Sequence, residues 1–309
     1  MCIRDRTCAE CHDAGNHKVT GRGLDLREND VAEWLTCTEC HSERPHGDYD
    51  PRSGDSRDAH AARVACQTCH IPTYAKDIDT EMARDWRMPV WWPGAFGGQG
   101  GWKPEETRAA DVVPTYRWFD GTSEVYVLGQ SPTLNANGEY EFGVPLGSVS
   151  SPGAKLYPMK EHRSVAARLN STGQMIPHST EVFFRTGDFT QAIVEGMARS
   201  GMSGAYSIVP VHTFQTINHG VEPADNALEC AECHTGSGDD DRAAAPRLAL
   251  AGELGYALKG PQATVCTQCH EPEDPESFGE MHDKHVADEG YDCAWCHAFG
   301  RPERGLEQP

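Results

Sequence analysis

The 309-residue chain has no apolar run long enough to cross a bilayer, so a membrane-spanning segment within it is excluded. Apolar residues are scarce: at 38 % and a mean hydropathy of −0.60, the chain is lean for one that must bury a core made only of its own side chains. Positive charge is scarce as well. Against 47 Asp and Glu stand only 27 Lys and Arg, a formal charge of −20. Such a balance repels nucleic acid and favours basic partners or the cationic faces of redox proteins, although acidity that only keeps a protein in solution is an equal reading. The first six residues, MCIRDR, have neither the apolar core nor the cleavage site of a signal peptide. Of 13 cysteines only Cys2 falls outside one repeated motif.

That motif is Cys-x-x-Cys-His, and it occurs six times: Cys8, Cys11, His12; Cys37, Cys40, His41; Cys66, Cys69, His70; Cys230, Cys233, His234; Cys266, Cys269, His270; and Cys293, Cys296, His297. It is the attachment signal for c-type haem. Two thiols at this offset meet the two vinyl groups of one macrocycle, and the adjacent imidazole becomes the proximal iron ligand. Composition alone gives about 0.03 chance matches in the chain. Zinc ribbons pair such cysteines but do not require a histidine directly after every second one. Disulfide-exchange motifs need a thioredoxin-like βαβ pattern that the chain lacks. The expectation is six covalent haem c groups and twelve attachment cysteines. Haem is attached to such motifs after export, which implies a periplasmic or otherwise extracytoplasmic protein. The missing signal is then expected to lie upstream, in sequence lost by N-terminal truncation.

Six irons need sixth ligands, and nine histidines lie outside the motifs. His17 and His46 each sit five places after a proximal histidine. That is too close to reach around the edge of their own haem, so they are better placed to serve neighbouring haems. His60 precedes Cys66, and His219 precedes Cys230. His282 and His285 lie one helical turn apart before Cys293, and of these His285 is chosen. His162 completes the candidate set His17, His46, His60, His162, His219 and His285; His178 and His212 are left at even odds.

Cys8, Cys37 and Cys66 are evenly spaced, and no leucine ladder accompanies the period, so the beat belongs to the haem sites. The layout reads as a three-haem cluster over residues 1–70, a haem-free wrapping segment over 71–229 and a second three-haem region over 230–309. With much of the core supplied by cofactor, and with 20 prolines and 31 glycines, the expected fold is mainly α and irregular, with little regular secondary structure. Small β-hairpins are placed in the wrapping segment. One spans residues 115–128 around Asp120-Gly121, a second turn falls at Asn137-Gly138, and a short helix covers residues 191–199.

With these residues in hand, the chain resembles the octahaem tetrathionate reductase family of multihaem cytochromes c. The stretches that carry the likeness are CAECHDAGNHKVTGRG from residue 8, VACQTCHIPTYA from 64, PTYRWFDGTSEVYVLG from 114, KLYPMKEHR from 155 and INHGVEPADNALECAECH from 217. They span about residues 7–236. The resemblance adds weight to His162 and His219 as distal ligands. It implies that the family's lysine-ligated catalytic haem belongs to sequence upstream of residue 1, and the motifs at Cys266 and Cys293 lie beyond the family's last haem. The expected function is electron transfer along six haems within a reductase of small sulfur or nitrogen oxyanions such as tetrathionate, nitrite or hydroxylamine. The alternative is a pure conduit with every haem bis-histidine ligated and no substrate chemistry; no catalytic residue is assigned. Expected partners are electron-donating redox proteins, either other cytochromes or a quinol-linked membrane cytochrome. Arg163, Lys160 and Lys155 are the cations available to line an anion site, against the plainer reading of a solvated charge run.

Overall fold

The computed structural model describes residues 12, 36–46, 61–228, 232–233, 257–258, 283–289 and 297–298. Its centre is an eight-stranded mixed sheet. The strands are β1 (Thr80–Trp92), β2 (Gly101–Ala109), β3 (Thr115–Phe119), β4 (Ser123–Val125), β5 (Tyr140–Pro145), β6 (Lys155–Leu169), β7 (Met175–Ile176) and β8 (Tyr206–Thr216). The main order is β2-β1-β6-β8-β5-β4, with β3 and β7 also pairing with β6. The β1–β6 and β5–β8 contacts are parallel, and the others are antiparallel.

The expectation of a mainly α and irregular chain with small hairpins is therefore wrong for the described residues: strand outweighs helix, and the sheet is continuous. The physical reason is that the side chains of this segment bury a core among themselves. Trp86, Ala167, Leu169, Ile176, Phe183, Phe189, Ala192 and Ile193 form one cluster, and Met159, Phe119 and Phe214 form another. Lean overall composition hid this because the apolar residues concentrate where strands and helices meet. The hairpin expected over residues 115–128 does not form either. Asp120-Gly121 does turn the chain, with Gly121 at φ 89°, but β3 pairs with β6 while β4 pairs with β5. The turn at Asn137-Gly138 is present, with Gly138 at φ 79° and Leu134 bridged to Tyr140.

Two helices cover one side of the sheet. Helix α2 (Thr180–Thr186) is capped by Ser179, whose side chain accepts from the Val182 amide. Helix α3 (Phe189–Ser200) is capped by Asp188, which accepts from the Gln191 amide. Both stop at a left-handed glycine, Gly187 and Gly201, where a side chain would strain the backbone. The expected 191–199 helix is the middle of α3, and Ile193 is its buried anchor. Preceding the sheet is α1 (Cys66–His70), a single turn made of the third haem motif. Two further short strands, β9 (Ala257–Leu258) and β10 (His297–Ala298), pair with each other and set His297 opposite Leu258.

Close packing between α3 and the loop before α2 leaves no room at Gly196. A Cβ there would sit 2.2 Å from the Pro177 carbonyl oxygen, a backbone atom that cannot swing aside. Gly196→Ala should lower the unfolding free energy by about 2 kcal/mol through overpacking. Val194→Ala, on the exposed side of the same helix, should change it by less than about 0.5 kcal/mol. Urea unfolding of the two variants measures the difference.

Candidate haem-binding centre

The third motif is held against the sheet by backbone bonds. Leu156 at the start of β6 donates its amide to the Arg63 carbonyl at 2.7 Å and accepts from the Ala65 amide at 3.0 Å. The buried Thr68 hydroxyl, from the middle of Cys-x-x-Cys-His, donates to the same Leu156 carbonyl at 2.8 Å. On the other side, the Glu222 amide donates to the His70 carbonyl and the Leu228 amide to the Cys69 carbonyl. Gln67 reaches outward to Tyr157 Oη at 2.7 Å and Asn218 Oδ1 at 3.2 Å, and Tyr157 donates to Asn218 at 2.8 Å. Ile71, fully buried, plugs the end of the turn. Arg63 lies over the Trp118 ring and donates to the carbonyls of Ser151 and Val149, which fixes the segment entering the motif.

The second motif lies beside the third. Cys37–Glu39 is a single 3-10 turn, and the Cys37 thiol donates to the Cys66 sulfur. That bond, together with burial, pushes the Cys37 thiol up. The same bond, against burial and helped by Lys155, holds Cys66 down to about 6. Cys37, Cys40 and Cys66 are free thiols, and all three are exposed.

Two histidine pairs stand out. The rings of His46 and His70 are 6.2 Å apart between centroids and nearly parallel, at 11°. Those of His12 and His219 are 5.9 Å apart and tilted by 48°. Ring stacking would bring parallel faces much closer. With a metal–nitrogen bond of about 2 Å on each side, and about 1 Å more from nitrogen to ring centre, two imidazoles facing each other across one metal stand about 6 Å apart. Free thiols beside histidine rings at this separation fit covalent haem. His12, His41 and His70 would supply proximal imidazoles, and the neighbouring cysteines would supply the attachment thiols.

The other candidates are placed differently. His162 directs Nε2 to Glu81 Oε1 at 3.0 Å, and Arg84 grips the same carboxylate with two bonds of 2.7 Å. Burial pushes the Glu81 carboxyl up, but Arg84 and His162 overcome it and keep it below the usual range. His285 sits in the helical turn Asp283–Asp288. Cys8, Cys11, His17, His60, Cys230, His234, Cys266, Cys269, His270, His282, Cys293, Cys296 and the side chain of His297 lie outside the described residues.

The three cations offered as an anion site are each engaged. Lys155 donates to the Ala61 carbonyl and Lys160 to Thr80, while Arg163 pairs with Glu139 and Glu161. The strand brings together instead what sequence reading did not connect: Glu161, Arg163 and His212, the last 4 % exposed and paired in register with Arg163. His212 Nε2 lies 3.5 Å from Glu161 Oε2, an ion-pair distance rather than a well-formed hydrogen bond. His178 packs edge-on to Trp86 at 4.5 Å, and burial together with the Arg84 charge holds it down to about 4.

Comparison with known proteins gives the same class. Residues 102–237 match a family described as cytochrome c, bacterial. The fold is similar to the crystal structure of an octahaem cytochrome c from Shewanella oneidensis, with a TM-score of 0.60 and 27 % identity over 75 % of this chain and 55 % of that one. No curated protein matches by sequence. Fold, motifs and matches together define a c-type cytochrome with several haems. The chain is similar to multihaem cytochromes c of the octahaem kind. It spans little more than half the length of the octahaem protein it resembles.

The Glu161 carboxyl carries a pH signature. The His212 ring, and the Arg163 guanidinium after it, hold it down to about 2 from the usual 4.5, against the opposing effect of burial. A depressed folded value stabilises the fold above the unfolded value, and that stability is lost as pH falls through the folded one. It amounts to at most about 3 kcal/mol. Glu161→Gln should therefore flatten the loss of stability between about pH 5 and pH 2. Thermal unfolding across that range, compared with the parent chain, is the measurement.

Proposed function

We propose that the chain carries six covalently attached haems and acts as an electron relay, and that it forms part of a longer reductase of small sulfur or nitrogen oxyanions. The observation that supports the relay best is the pairing of rings at 6.2 Å and 5.9 Å, His70 with His46 and His12 with His219. In this reading His46 closes the iron of the third motif and His219 that of the first. Haem iron, when bound, carries one electron by cycling between its ferric and ferrous states. The protein's part is to fix the two imidazoles of each site so that ligation does not change with oxidation state. The backbone clasp on residues 65–70 supplies that rigidity at the third motif.

The engaged state of Lys155, Lys160 and Arg163 favours relay over substrate chemistry among the described residues, since none is free to neutralise an oxyanion. Oxyanion reduction is assigned to the longer protein through the family resemblance. A periplasmic location follows from haem attachment after export, and the natural electron donors are other cytochromes or a quinol-linked membrane cytochrome.

Electron paramagnetic resonance of the haem-loaded chain tests the pairing. The parent should show low-spin signals at the first and third sites. His46→Ala and His219→Ala should each convert one haem, about a sixth of the total, to high spin without loss of covalent haem by mass spectrometry. Unchanged spin states in both variants would remove the assigned pairs. A high-spin haem in the parent that shifts on adding nitrite or hydroxylamine would replace the relay with catalysis in this chain.

A further inference from the structure

Beyond the haem motifs, the ribbon β1–β2 ends in an unusual surface. Met88, Val90, Trp91, Trp92 and Phe96 are each between 41 % and 53 % exposed, and three of the five are aromatic. Register sets Trp92 and Val90 on one face with Lys103, while Trp91 lies across from Trp102 and meets its ring edge-on at 5.3 Å. The tip itself, residues 95–98, holds Phe96 at φ 52°, a left-handed conformation that bulky residues rarely adopt. A large apolar side chain is thus kept in strained backbone and half in solvent, with Arg185 over its ring at 5.1 Å. Beside the tip is a cleft of about 310 Å³ lined by Arg84, Trp92, Lys103, Pro104, Glu106 and Phe184.

We propose that this tip is a self-association surface, at which two copies of the chain meet about a two-fold axis and the apolar tip of each packs into the cleft beside the other. Three observations favour a second copy over other occupants. First, projection and cleft adjoin on one surface, which is the self-complementarity an isologous contact requires. Second, the area is right for a weak dimer. Trp92 and Phe96 with Met88 and Val90 offer about 380 Å² per copy, so pairing buries about 750 Å², short of the roughly 1,200 Å² at which stable specific interfaces begin, as a weak association requires. Third, the flanking charges are already balanced within each copy. Arg87 pairs with Asp85, Lys103 with Glu106 and Arg84 with Glu81. Two tips can therefore meet without local repulsion, although the chains as wholes repel at −20 each. Extension of the sheet through the edge strand β2 is not the mode, because Pro104, Lys103, Glu105 and Glu106 guard that edge. The contact does not depend on the haem pairing.

Sedimentation velocity of the haem-loaded chain, from about 1 to 200 µM, is the test. The parent should shift towards twice the monomer mass with rising concentration. The shift should strengthen between about 0.02 and 0.5 M salt as the repulsion of two acidic bodies is screened. Trp92→Ala with Phe96→Asn should weaken association at least about tenfold. Val90→Glu, a single exposed change that sets like charges across the axis, should do the same while leaving the melting temperature and haem spectrum unaltered. A parent that stays monomeric throughout, or variants that associate as the parent does, would overturn the proposal. So would a monomeric parent that binds phosphatidylcholine–phosphatidylglycerol vesicles through these residues, since the occupant would then be lipid.

Discussion

Everything near the third haem motif depends on the backbone of one residue, Leu156. Its amide and carbonyl hold residues 63 and 65, and the carbonyl also takes the Thr68 hydroxyl from inside the motif. Because Leu156 is the second residue of β6, the motif inherits the rigidity of the strand with the most partners in the sheet. A cysteine pair on a free loop could offer the same atoms, but not at a fixed angle to histidines elsewhere. Here the angle is set by a ladder whose register with β8 runs unbroken from Met159 to Leu169.

The same strand handles its charges in an orderly way. Glu161 and His162 are adjacent, so the pleat sends them to opposite faces. Glu161 meets His212 and Arg163 on one face, and His162 meets Glu81 on the other. Each of the four groups therefore finds a polar partner, Glu161 and Arg163 each other, His162 the Glu81 carboxylate and Lys160 the Thr80 hydroxyl, which is what lets a run such as Lys-Glu-His-Arg occupy the middle of a sheet. A slip of one residue would exchange the two faces and strand all four groups at once.

Local chemistry was legible in the sequence, and long-range pairing was not. The six motifs announce themselves by spacing. Helix α3 is written in the spacing of Ile193 and Met197 and in the Asp188 cap, and the Asn137-Gly138 turn by its residue types. The sheet was missed because its longest strand reads as a polar run containing Pro158, Lys160 and Arg163, whose ladder partners Tyr116, Gln215 and His212 lie far away in sequence. Asp120-Gly121 misled in the opposite sense, since a good turn does not oblige its flanks to pair with each other. Among the histidines, sequence placed His46 with a neighbouring site rather than its own, and its ring stands against that of His70. Nothing local could have set His219 against His12, because only the return of β8 brings the two together.

That last proximity has a topological consequence. Every strand from β1 to β8 lies in the chain between residues 12 and 219. A metal bridging those two rings would make the whole sheet the content of one closed loop, fastened by a bond that is coordinate rather than covalent. Long loops lose the most chain entropy on closure, so such a fastener acts on the unfolded chain as a distant disulfide would. Unlike a disulfide, it would open whenever the His219 imidazole left the iron, because Cys8 and Cys11 would still tether the haem at the other end of the loop. The durability of the sheet and the ligation of a single haem would then be two readings of one equilibrium.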